Sequence, residues 1–190
     1  MLELNEVCLR TDNATTHSTL SLMAEEGQLT CLTGGSASVR SRLLLAMLGL
    51  APLSCGYISI DGEPVCDATA AALRRLMAYV PRQLQPVGSV TVYEAPSETD
   101  VFSLHANRKC DFSDELLRQR VHDIDPGDCG DERVRLLAVA SLMQRQIVLV
   151  DDPPAVCAPF LHDMAAEGRV VIVSTDNGSV TGVADQIVEL

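Results

Sequence analysis

The sequence predicts an α/β domain with a mainly parallel sheet covered by helices and an N-terminal antiparallel β-portion. Short, almost wholly apolar runs alternate with helical runs, and parallel strands buried on both faces have this composition. The 190 residues fit one domain over 1–190. A weaker pattern at about 89–140 predicts a reduced helical insert within that domain.

Each element follows from periodicity and from Gly or Pro punctuation. Near the N-terminus, Leu2 and Leu4 alternate with polar residues, and the apolar run at 29–33 stops at Gly34. The expected strands are 2–7, 20–23, 29–33, 57–60, 77–80, 147–150, 170–174 and 185–190. The expected helices are 41–50, 68–76, 116–121, 132–143 and 159–167.

Composition and charge restrict the function classes. The net charge of −12 disfavours nucleic acid, because a phosphate backbone is bound through a basic surface. No apolar run approaches the roughly 20 residues that span a bilayer. The seven cysteines form no CxxC pair, and the histidines show no ligand-like spacing that would predict a metal cluster.

The cysteine count also bears on the compartment. An odd number of cysteines without a signal peptide favours a reducing cytosol. We therefore expect Cys8, Cys31 and Cys55, which lie in or near apolar runs, to be free thiols that pack as small hydrophobes.

The first candidate site is a phosphate-binding loop. The pattern G-x-x-x-x-G-K-[ST] follows a strand and opens a helix, and its backbone N–H groups surround phosphate. The corresponding residues are Gly34, Gly35, Ser36, Ala37, Ser38, Val39, Arg40 and Ser41. Val39 replaces the second Gly and Arg40 replaces the Lys, so a simple Gly-Ser turn between a strand and a helix is the alternative.

The second candidate site is the acidic end of the strand at 147–150. Asp151 and Asp152 follow four apolar residues, as in a Walker B strand. There, one acid holds Mg²⁺ and the next acts on the attacking water. Paired acids at a strand end also occur as a helix cap or a surface turn.

Together these motifs resemble the ATP-binding domain of ABC (ATP-binding cassette) transporters, and the resemblance extends over nearly the whole chain. Further segments match that family in order and approximate spacing. They are 20–27 before the loop, 48–50 with 56–62, 73–81 before the Q-loop, 132–134 with its helix, 151–153, 171–176 and 184–188.

The resemblance implies an ATP site with a P-loop NTPase-like fold. ATP would be bound by Gly34–Ser41 together with Arg82 and Gln83 at the Q-loop. Mg²⁺ would be held by Ser41 and Asp151. Asp152 would act as the general base, and Asp176 stands at the switch position.

Several of these positions depart from the family. The adenine-stacking aromatic would fall near Thr11, Arg82 takes the Gln position, and Asp176 replaces a histidine. The signature loop is reduced to about 126–130, where Asp128 places a negative charge near the triphosphate. We therefore expect weak or no ATP binding and hydrolysis.

The resulting hypothesis is a cytoplasmic ATP-binding-subunit-like protein, at the inner face of the membrane when assembled. It would act without hydrolysis beside a membrane permease, a second ABC ATPase subunit or its own copy. Two alternatives stay open, a divergent but active ATPase motor and a small P-loop enzyme or repurposed scaffold. The transported substrate is not encoded here, because the permease selects it.

Overall fold

A computed structural model describes residues 1–11, 14–15, 19–83, 112–127 and 130–190, without the side chains of 10, 11, 14 and 15. The strands are β1 Leu2–Thr11, β2 Ala14–Thr15, β3 Leu20–Ala24, β4 Leu29–Thr33, β5 Leu53–Ile60, β6 Glu63–Pro64, β7 Met77–Val80, β8 Ile147–Asp151, β9 Val170–Ser174 and β10 Gln186–Glu189. The α-helices are α1 Ala37–Met47, α2 Ala70–Leu73, α3 Asp114–Ile124, α4 Glu132–Leu142, α5 Ala158–Ala166 and α6 Gly178–Thr181. Two 3₁₀ turns cover Arg74–Leu76 and Ala155–Cys157.

The predicted parallel sheet is confirmed. Its strand order is β10-β4-β9-β8-β7, and each neighbouring pair is parallel. Alternate residues of the same strand enter opposite cores: Leu149 packs on the side of α1, whereas Val148 and Val150 pack on the side of α4 and α5. This two-sided burial explains why the strand sequences are continuously apolar.

The predicted antiparallel portion is a separate sheet with strand order β2-β1-β5-β6, and β3 pairs with β1. The β1–β5 register shifts between Asn5 and Cys8. At this irregularity Glu6 adopts a left-handed backbone, with φ of 46°. Buried residues of this sheet, such as Leu4 and Ile58, belong to the same hydrophobic core as α1.

The helical insert is described only in part, because 84–111 lie outside the described residues. Its two described helices, α3 and α4, pack on each other, and α4 also packs on β7. The described helices include none that is both long and apolar enough to cross a bilayer.

The expectation of free thiols is wrong for two cysteines. Cys8 and Cys55 are cross-strand partners on β1 and β5 and form a disulfide. The shifted register brings them opposite each other, which alternation in the sequence alone does not reveal. Cys31 is a buried free thiol as expected, and burial raises its pKa to about 11.

The close approach of β5 to the irregular part of β1 requires a glycine. Gly56 has φ of 74°, and a Cβ there would lie 2.3 Å from the backbone oxygen of Asn5 and 2.4 Å from that of Glu6. Gly62 has a similar φ of 82°, but its Cβ would meet nothing within 4 Å. A substitution at Gly62 would therefore introduce backbone strain alone, whereas one at Gly56 would add steric overlap.

We expect Gly62→Ala to lower the free energy of unfolding by about 1–2 kcal/mol, the cost of a left-handed alanine. Gly56→Ala adds overlap with a backbone that cannot rotate away, so its cost is expected to be about 1–3 kcal/mol greater. Urea unfolding of both variants measures the difference. Equal costs would show that β5 does not approach β1 this closely.

Candidate functional site

The candidate site lies at the carboxyl edge of the parallel sheet. β4, β9 and β8 are neighbours, so the residues that follow them meet at one edge. The loop after β4 begins at Gly34, Asp176 follows β9, Asp151 ends β8 and Asp152 comes directly after it. The sheet order thus brings the two sequence-predicted motifs together.

The phosphate-loop segment is a short turn followed by a helix that begins earlier than predicted. Gly34 and Gly35 have φ of 71° and 55°, and α1 begins at Ala37 instead of residue 41. Ser36 caps this helix, because its hydroxyl accepts from the Val39 amide and its carbonyl accepts from the amides of Val39 and Arg40.

Because Ser36 caps α1, only some of the backbone amides of the loop are free to bind an anion. The Val39 and Arg40 N–H groups are used within the first turn of α1. The amides of Gly35, Ser36, Ala37 and Ser38 donate to no described residue. Four N–H groups at the N-terminus of α1 therefore remain for an anion.

Arg40, at the position of the family's lysine, is buried against the loop. Its residue surface is 3% exposed, and its Nη1 donates to the Gly34 carbonyl at 2.5 Å. Its Nη2 lies 2.6 Å from Asp176 Oδ2, and Asp176 Oδ1 accepts from the Gly34 amide at 3.3 Å. The structure thus joins Arg40 and Asp176, which are 136 residues apart.

The two predicted Mg²⁺ ligands lie at the same edge but are already hydrogen-bonded. Asp151 is buried and accepts from the Ser174 hydroxyl at 2.8 Å, while the Ser41 hydroxyl donates to the Ala37 carbonyl at 2.9 Å. Among the described residues, no three acidic, His or Cys side chains form a metal-binding group. Mg²⁺ usually needs only one or two carboxylates besides water and phosphate, so the metal role of Ser41 and Asp151 stays a prediction.

Asp152, the predicted general base, is held by several neighbours. Its Oδ2 lies 3.2 Å from Arg82 Nε, and its Oδ1 accepts from the Thr175 hydroxyl at 3.4 Å. Its backbone has φ of 52°, and its carbonyl accepts from Arg133 Nη1 at 2.8 Å. Of the two Q-loop residues, Arg82 contacts Asp152, and Gln83 is exposed beside it.

Arg133 and Thr175 are contacts of Asp152 to which the sequence reasoning gave no role. Asp131 caps α4 and binds the Arg133 guanidinium through both carboxylate oxygens, at 3.0 and 2.6 Å. The hydrogen bond from Arg133 lowers the pKa of Asp131. The similarity of 132–134 to a family motif was the available signal, but no role followed from it.

Two predicted departures fall outside the described residues. They are the side chain of Thr11, near the expected adenine position, and Asp128 in the shortened signature loop.

Beside the acidic strand end, burial and then the negative charge of Asp151 raise the pKa of Tyr79 to about 12. The Tyr79 hydroxyl is therefore neutral at physiological pH.

The family model of the ABC transporter matches residues 17–155, which include the loop, α4 and the acidic end of β8. This chain belongs to the ABC transporter ATP-binding family. The match ends before Asp176. The resemblance seen in the sequence is thereby confirmed.

Curated relatives show the same family at low identity. The chain is 24% identical to the Fe(3+) ions import ATP-binding protein FbpC 2 of Pectobacterium atrosepticum, over 99% of this chain and 59% of that protein. It is 26% identical to the vitamin B12 import ATP-binding protein BtuD of Vibrio cholerae, over 90% and 77% respectively. An uncharacterised ABC transporter ATP-binding protein of Haemophilus influenzae is 24% identical over 80% of this chain, which spans 62% of that relative.

Solved structures confirm the fold. An ATP-binding subunit of an ABC transporter superimposes with a TM-score of 0.73 at 17% identity, covering 100% of this chain and 85% of the other. For cbiO1 from Clostridium perfringens, described as part of the cbiONQ transporter complex, the TM-score is 0.65 at 18% identity, with 99% and 83% covered. These values support a P-loop ABC ATPase fold.

The Asp131–Arg133 pair predicts a pH-dependent contribution to stability. Because the folded pKa of Asp131 is lowered, its contribution is fully present above the unfolded value of about 3.9 and is lost as the pH falls through the folded value. Asp131→Asn keeps a capping side chain but removes the charge. We expect it to cost about 1 kcal/mol at neutral pH.

Urea unfolding of the wild type and Asp131→Asn at neutral pH and below about pH 4 tests this account. The difference should shrink in acid. A difference that is unchanged between the two conditions would contradict the ion-pair explanation and favour a purely local effect of the cap.

Proposed function

We propose that this chain is an ABC transporter ATP-binding-subunit-like protein that hydrolyses ATP weakly or not at all. It acts beside a membrane permease or a competent ATPase partner. The observation that carries this proposal is the pairing of Asp152 with Arg82, because Asp152 stands at the predicted general-base position.

Asp152 is poorly suited to act as the general base for two reasons. A general base must reach the proton it removes directly or through one water, and both Asp152 oxygens already have partners. Asp152 is also one methylene shorter than Glu, and a displacement of about 1 Å can reduce a rate roughly a hundredfold.

The contacts within the phosphate loop are a further reason to expect that nucleotide binds weakly. The family binds ATP through this loop, but here Arg40 is bonded to Gly34 and Asp176, and the Val39 and Arg40 amides are used by Ser36. As it stands, the loop therefore fits a triphosphate poorly. We extend this proposal to Mg²⁺, whose protein ligands would be Ser41 and Asp151, while the nucleotide would supply the phosphate oxygens.

The partner is inferred from the relatives. Proteins named as import ATP-binding subunits and a component of the cbiONQ complex resemble this chain, so a permease or a second ATP-binding subunit is the proposed partner, with a homodimer as a further arrangement. We also propose a single domain over 1–190 with a reduced helical part at about 89–140. A cytoplasmic position at the inner membrane face completes the proposal.

A divergent active motor is the second candidate function. It is favoured by two consecutive acids, since Asp151 is buried at the end of β8 and Asp152 follows it directly. Under this alternative, partner binding would separate Arg82 from Asp152. Robust steady ATP turnover would distinguish the two candidates, because the first predicts a rate at or near background.

Repair of the phosphate loop alone should not restore turnover. Val39→Gly with Arg40→Lys rebuilds the loop, but the Arg82–Asp152 pair remains and Asp176 still places an anion near the triphosphate, where the transition state needs donors and cations. Phosphate release by the wild type, by this double variant and by the double variant with Asp152→Asn tests the prediction. We expect three equal rates at the background level.

The matched Asp152→Asn variant identifies the result that would contradict the proposal. Turnover that is present in the double variant and disappears with Asp152→Asn would show that Asp152 is a working base. The non-hydrolysing proposal would then be wrong, and the active-motor candidate would replace it.

A further inference from the structure

The Asp176 carboxylate occupies the part of the loop that would otherwise bind an anion. One oxygen accepts from the Gly34 amide at 3.3 Å, and the other lies 2.6 Å from Arg40 Nη2. A backbone N–H of a glycine loop and a cation from the following helix are the two kinds of donor that bind phosphate in this motif. A carboxylate from the same chain therefore makes contacts of the kind that a phosphate oxygen would make.

The remaining loop is strongly favourable to an anion. The side chain of Arg40 is 4% exposed, and among the described residues its Nε has no hydrogen-bond partner. The amides of 35–38 at the start of the 11-residue α1 donate to no described residue. A buried cation beside free helix N-terminal amides attracts negative charge, since both the helix dipole and the unsatisfied donors act in the same direction.

The two partners differ in their freedom to leave. The Asp176 side chain is 62% exposed and lies two residues beyond β9, so water can replace its contacts. Arg40 cannot leave its buried position without losing both its contact with the Gly34 carbonyl and its burial. Opening of the contact therefore moves Asp176, and Arg40 stays at the loop.

We propose that Asp176 is a built-in anionic plug of the loop at 34–41, which excludes oligophosphate ligands until the segment after β9 moves away. This inference rests on the proposed assignment of that loop as a phosphate-binding loop. If the contact is closed in about 90–99% of molecules, a ligand that needs the open loop binds about 10- to 100-fold more weakly. The same segment would thus control the loop without any change in its donors.

Inorganic pyrophosphate is the probe, because it carries the oligophosphate without a base or sugar. Calorimetric titration compares the wild type with Asp176→Asn, which keeps the side-chain size and removes the charge. We expect Asp176→Asn to bind pyrophosphate at least about tenfold more tightly. Thermal melts establish that each variant is folded.

Two further variants locate the effect. Asp163→Asn removes an equal charge from α5, where the side chain is 78% exposed, and should bind like the wild type. Arg40→Met combined with Asp176→Asn should lose the gain, because the freed cation is then missing. The gain is thereby assigned to the loop and to Arg40.

Three outcomes would contradict the proposal that Asp176 plugs the loop. A folded Asp176→Asn variant that binds no more tightly than the wild type would overturn the plug, as would an equal gain in Asp163→Asn or a gain that persists without Arg40. Each of these results leaves the non-hydrolysing proposal intact, since that proposal is tested by ATP turnover and not by pyrophosphate binding. The two proposals can therefore fail separately.

Discussion

The contact between Arg40 and Asp176 at the Gly34 amide holds together the loop, the first helix and the segment after β9. It is made possible by the adjacency of β4 and β9, whose ends lie at the same edge of the sheet. Its geometry combines a 2.6 Å ion pair with a backbone hydrogen bond, and the cation is almost completely buried. A buried guanidinium is stabilised by an anion beside it, so the loop favours the Asp176 carboxylate when no phosphate ligand is bound.

A second pair follows the same pattern. Arg82 replaces the expected Gln and binds Asp152, just as Arg40 replaces the expected Lys and binds Asp176. In each case an arginine at a position of the predicted nucleotide site is paired with an acid that follows a strand of the parallel sheet. Both arginines therefore have a carboxylate partner without a nucleotide, which supports the proposal that this fold does not depend on ATP binding.

The sequence predicted the scaffold better than the site. The strands at 29–33, 77–80 and 170–174 were predicted with the observed bounds, because continuous apolar runs there end at polar, Gly or Pro residues. The start of α1 was missed, although Ser36 is a suitable cap and provides the local signal. The pairs Arg40–Asp176, Arg82–Asp152 and Cys8–Cys55 join distant segments, so they depend on strand order and register that no local pattern contains.

The central claim is that Arg40 and Asp176 stabilise each other in the absence of nucleotide. A double-mutant cycle with Arg40→Met, Asp176→Asn and both together measures their coupling in the free energy of unfolding. Because Asp176 is more than half exposed, we expect a favourable coupling of about 1 kcal/mol, below the value for a fully buried charged hydrogen bond. Additive effects of the two substitutions, with no coupling beyond experimental error, would contradict the account.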